Sequence, residues 1–132
     1  MNESFETRPL LERETLKSFQ QRQNVASVIR LALQLGAFFL CAWLVILSAP
    51  LPVVAACFTV LLGAIWASLF APFHECAHLT AFRSRRLNTI GSWLSGIPFG
   101  MAPAVYRGFH FEHHRYTQDR SRDPEIMSAP DV

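Results

Sequence analysis

From Leu31 to His74 the chain carries no Asp, Glu, Lys or Arg, while charged residues crowd both flanks. A soluble domain of 132 residues spreads charge along every element so that one face of each stays wet. The charge-free stretch instead predicts two membrane-spanning helices, at about residues 31–48 and 53–73. Each reaches the ~20 apolar residues that crossing the hydrocarbon core requires. Between them lies Ala49-Pro50-Leu51-Pro52. Its prolines donate no backbone N–H and push their predecessors out of helical geometry.

A turn this short makes a helical hairpin whose two ends lie on one side of the membrane. Arg8, Arg13, Lys17, Arg22 and Arg30 precede the hairpin and Arg83, Arg85 and Arg86 follow it, whereas the connecting turn has no basic residue. The positive-inside rule then predicts both termini on the cytoplasmic side. Residues 1–30 read as a polar arm with a helix from about Leu10 to Arg30. The late onset of the first apolar run, and the second run behind it, argue against a secretory signal peptide. Residues 87–105 are apolar but rich in Gly and Pro, which fits an interfacial segment better than a third span. Trp66 and Trp93 read as lipid-facing or packing residues. The polar residues 127–132 read as a tail.

The net charge is +2, and the arginines are not interleaved with exposed aromatics, so no nucleic-acid partner is expected. Cys41, Cys57 and Cys76 show no paired spacing, which argues against a disulfide framework.

All five histidines fall into two short clusters, His74-Glu75-Cys76-Ala77-His78 and His110-Phe111-Glu112-His113-His114. Helical positions three and four apart share a face, so each cluster can aim two or three imidazoles at one point. Imidazole suits iron, zinc, copper and nickel alike, so ligand type leaves the metal open. The first cluster also matches H-E-x-x-H, the zinc-protease helix with Glu75 as general base. The second cluster argues against that reading, because it holds more histidines than the one further ligand such a site needs.

The pair of clusters, H-E-C-A-H after a membrane hairpin and H-F-E-H-H some tens of residues later, resembles the membrane fatty acid desaturase superfamily. The resemblance covers residues 31–126 as the N-terminal part of such a domain. It implies an all-α integral membrane fold with a transmembrane hairpin, an interfacial segment and a cytoplasmic histidine-box helix. It also implies an O₂-dependent non-haem iron oxidoreductase of lipid metabolism that introduces a double bond into a fatty acyl chain. Related lipid or carotenoid hydroxylases and ketolases share the pattern. By the same resemblance His74, His78, His110, His113 and His114 are iron ligands of a two-iron centre. The implied partners are a membrane lipid or acyl substrate, O₂, and an electron donor such as ferredoxin or a b-type cytochrome. Glu75, Glu112, Asp119 and Asp123 are candidates to orient the imidazoles from behind.

The family pattern has a third histidine box and a second hairpin, and no histidine follows His114 here. Five imidazoles fall short of the eight or nine that such a centre takes. The expectation is that this chain is inactive alone and that the C-terminal half of the enzyme is missing from it.

Overall fold

The computed structural model describes residues 12–19 and 21–127. Residues 1–11 of the expected arm and 128–132 of the expected tail lie outside the described residues. The described residues form helices joined by turns: α1 (Arg13–Phe19), α2 (Asn24–Leu47), α3 (Pro52–Ser68), α4 (Phe70–Ala77), α5 (Arg85–Gly96), a 3₁₀ turn at Ile97–Phe99, α6 (Pro103–Tyr116) and α7 (Pro124–Met127).

The hairpin of α2 against α3 forms as its apolar composition dictates. Cys41 Sγ lies 3.4 Å from the Phe58 carbonyl, and Gln34 Nε2 donates to Ser68 Oγ at 2.7 Å. Only 11% of α2's most apolar window and 6% of that in the second helix are buried. A core helix of a soluble protein would be mostly buried, so these helices present their side chains to lipid. Pro52 sits at the first turn of α3, where its missing N–H costs nothing. The second spanning helix runs further than expected, from Pro52 to Ala77, rather than ending near Pro72. Pro72 leaves a local break instead. It has no N–H for the Ser68 carbonyl four residues back, and α3 gives way to α4 at that place. The first histidine cluster therefore occupies the last turns of the spanning helix.

The arm departs from expectation too. Helix does not run continuously from about Leu10 to Arg30, because Gln21, Arg22 and Gln23 are non-helical between α1 and α2. Tertiary ties hold that break. Arg22 Nη1 donates to the Leu79 carbonyl at 2.8 Å, and the Ser84 amide donates to Asn24 Oδ1 at 3.1 Å.

α5 spans 12 residues, about 18 Å of helix, against the ~30 Å of a hydrocarbon core. It does not cross. Its packed side is Asn88, Gly91, Ser92, Ser95 and Gly96, laid against α4. A Cβ at Gly91 would come within 2.8 Å of Phe82, and one at Gly96 within 2.6 Å of Phe73. Close approach thus requires glycine at both positions. Buried Asn88 donates to the Phe82 and Ser84 carbonyls and accepts from the Phe82 amide, fixing the α4–α5 loop. Its outer face exposes Ile90, Trp93 and Leu94, as a helix lying in the membrane interface does. Pro98 and Pro103 divide the segment into separate elements, Pro98 in the first turn of the 3₁₀ helix and Pro103 at the start of α6.

The candidate metal centre

The site begins with how α4 ends. Leu79 takes a positive φ of 59°. Its amide donates to the Cys76 carbonyl and the Thr80 amide to the Glu75 carbonyl. This is the paired bond pattern that closes a helix on a left-handed residue. The chain turns away directly after His78, leaving His74 and His78 one helical turn apart with ring centroids 4.7 Å apart. Arg107 of α6 donates to the Ala77 carbonyl, tying α6 to that helix end. Phe73 and Tyr106 pack with centroids 4.5 Å apart, and Tyr106 stacks on His110 at 5.2 Å and 10°. These contacts set α6 so that its histidines meet those of α4.

Four imidazoles converge. One ligand atom from each of His74, His78, His110 and His114 lies within 4.8 Å of the other three. His110 is buried, and its Nε2 stands 2.8 Å from His78 Nε2 and 2.9 Å from His114 Nε2. One ring nitrogen carries either a proton or a lone pair, so it cannot satisfy both neighbours equally. A metal ion among them would resolve the conflict. His110 Nδ1 is buried with no partner among the described residues. Burial first, and the neighbouring imidazoles second, push the His110 pKa down to about 4, which favours the neutral form that binds metal.

His113 is not part of the group of four. On a helix, positions i+3 and i+4 flank position i on opposite sides, so His114 turns toward α4 while His113 turns toward the segment after α6. Its ring lies 6.2 Å from that of His110. His113 Nδ1 donates to Asp123 Oδ1 at 2.9 Å and lies 3.4 Å from Glu125 Oε2. Asp123 is fully buried. Burial alone would raise its pKa, but bonds from His113 and from the Glu125 and Gln118 amides outweigh that and lower it. The carboxylate in turn raises the His113 pKa. A carboxylate behind a histidine is the arrangement that fixes ring orientation and tautomer in metal sites.

The other three candidate acids lie elsewhere. Glu75 is exposed and faces a cleft with Arg22, Arg30 and Arg83. Glu112 is exposed and pairs with Arg115 at 2.9 Å. Asp119 accepts from Ser121 and Arg122 within its own turn. Trp66 donates to the Pro98 carbonyl and stacks on Phe99, a packing role, while Trp93 is half-exposed. Sequence reasoning missed Tyr106 and Arg107. The available signal was spacing, since Tyr106 precedes His110 by four residues and so shares its face.

The family profile described as Fatty acid desaturase matches residues 48–130, a stretch that includes both histidine clusters. The sphingolipid delta(4)-desaturase DES1 of Drosophila melanogaster is 36% identical over 77 residues, 56% of this chain and 23% of that protein. The chain thus spans under a quarter of that relative's length. No solved structure matches it significantly. The chain belongs to the fatty acid desaturase family.

Proposed function

We propose that this chain supplies the first two histidine clusters of an O₂-dependent non-haem iron oxidoreductase that introduces a double bond into a lipid acyl chain. The observation that carries the proposal is the convergence of His74 and His78 with His110 and His114 at the end of an apolar helix. Neutral imidazoles in that pattern hold iron through its redox changes. Iron, when bound, supplies activation of O₂ and attack on an unactivated C–H bond. His113, oriented by Asp123, stands beside the group of four as a fifth ligand toward a second iron. The two-iron complement of the family needs more imidazoles than these, so a further histidine-bearing segment completes the centre and this chain alone is inactive. Electrons come from a ferredoxin or a b-type cytochrome, and the substrate acyl chain is drawn from the membrane.

The two clusters share one side of the membrane, because their ligand atoms meet. The arginines flanking the hairpin support the cytoplasmic side as that side. A zinc-protease reading finds no support in Glu75, which lines the arginine-bearing cleft and is not among the four convergent residues.

The test is expression in a host membrane with and without a segment carrying the remaining histidines, followed by lipid analysis. The expected result is O₂-dependent formation of new double bonds only when both parts are present, abolished by His110→Ala. Desaturation by this chain alone contradicts the incomplete-centre part. Peptide hydrolysis with stoichiometric zinc overturns the reading entirely.

A further inference from the structure

Two contiguous cavities lie on the α2 side of α4, lined by none of the four convergent histidines. The outer is a cleft of about 1140 Å³ between the α1–α2 junction, Glu75 and the α4–α5 loop. It is lined by Arg22, Arg30 and Arg83, with Glu75 as the one acid among its described lining residues. Among the described residues Arg30 and Arg83 make no ion pair, and Arg22 donates to the Leu79 carbonyl. The first turn of α2 opens onto the cleft, and its N-cap residue Gln23 makes no side-chain capping bond. The positive end of a 24-residue helix, with no side-chain cap among the described residues, therefore adds to the arginine charge.

The inner cavity, about 210 Å³, shares Ser27, Arg30, Glu75 and Ala81 with the outer one. It continues one turn further along α2 to Leu31 and Gln34, against Pro72 and Phe82. Leu31 begins the charge-free run, so the inner cavity lies deeper on the membrane axis. Cationic walls at the boundary, with Leu31, Ala71, Pro72 and Phe82 beside Gln34 beneath them, match a molecule with an anionic head and an alkyl tail. A soluble anion has no use for the inner cavity, and an uncharged lipid has none for three arginines.

We infer that this paired cavity binds the phosphate head and the proximal acyl chain of an anionic phospholipid. The site is separate from the metal ligands and needs only the membrane placement of the hairpin, so it stands or falls independently of the oxidoreductase reading. Arg30 and Arg83 grip the phosphate, Arg22 braces the Leu79 turn, and Phe82 and Leu31 meet the chain.

The test uses the full chain in an uncharged detergent, with native mass spectrometry reading retained lipid. Phosphatidylglycerol is expected to be retained, with diacylglycerol of the same chains held at least tenfold more weakly. R30Q/R83Q is expected to weaken phosphatidylglycerol retention about thirtyfold, the effect of two basic residues near a membrane surface. R30K/R83K keeps most of the binding and shows that charge, not folding, is being read. R85Q/R86Q, at exposed positions outside both cavities, leaves retention unchanged. Equal retention of both lipids, or indifference to R30Q/R83Q, overturns the inference. Displacement of the lipid by millimolar inorganic phosphate also overturns it, in favour of a free-anion site.

Discussion

His78 and His110 stand Nε2 to Nε2 at 2.8 Å although 32 residues separate them. Everything between them serves that meeting: the left-handed exit at Leu79, the Asn88 staple, the close α4–α5 packing and the proline start of α6. The consequence is a donor set in which each member has a distinct, testable weight.

Glu75 separates the metal readings. It faces the arginine-lined cleft, so Glu75→Gln leaves metal content within about twofold, whereas His78→Ala lowers affinity by tenfold or more. Metal analysis by mass spectrometry checks both. Loss of activity or metal in Glu75→Gln matching that of a histidine variant contradicts the placement.

Packing of α5 on α4 gives the second prediction. Gly96→Ala places a methyl 2.6 Å from Phe73 Cε2 and 3.0 Å from the Met101 carbonyl, and is expected to cost about 1–3 kcal/mol. At Gly36 nothing lies within 4 Å of the added Cβ, so Gly36→Ala stabilises by about 0.5–1 kcal/mol. Thermal unfolding in detergent reads both, with opposite signs.

Leu79 holds a left-handed backbone that costs a non-glycine residue about 1–2 kcal/mol. Leu79→Gly relieves that strain and is expected to be neutral to about 1 kcal/mol stabilising. Leu79→Val, β-branched at the same φ of 59°, destabilises. Equal effects of the two on thermal unfolding would show that side-chain burial, not backbone strain, governs the position.

Asp119 supplies a pH signature. Ser121 Oγ first, then the Ser121 amide and Arg122, hold its pKa at about 2, below its ordinary 3.8. A depressed carboxylate stabilises its turn above the ordinary value, and that contribution is lost as pH falls from 3.8 through about 2. The Ser121 amide resonance should therefore stay constant above about pH 4 and shift only below it. A midpoint at the ordinary value contradicts the hydrogen-bonded turn.

Much of this was legible from residues alone, because the membrane imposes a strong rule on composition. The charge-free run and its proline break announce the hairpin, and helical spacing announces which histidines share a face. What sequence could not give was the course of the chain through Pro72. A proline stops a helix in most settings, yet here the break falls four residues earlier, at Ser68, and the helix resumes. The arm resisted for a different reason, since its break rests on Arg22 and Asn24 reaching residues some 60 positions away. His113 shows the limit of counting: its spacing from His110 is as good as that of His114, and which of the two meets α4 depends on how α6 is rotated against it, set here by the Arg107 and Tyr106 contacts.

We propose that four imidazoles, not five, form one metal-binding group. Titration of the purified full chain with Fe(II) under anaerobic conditions, alongside His110→Ala and His113→Ala, tests this. About one tightly bound ion per chain is expected, given a single convergent set of imidazole donors. Affinity should fall tenfold or more in His110→Ala and change no more than about threefold in His113→Ala. No stoichiometric binding, or equal losses in the two variants, would contradict it.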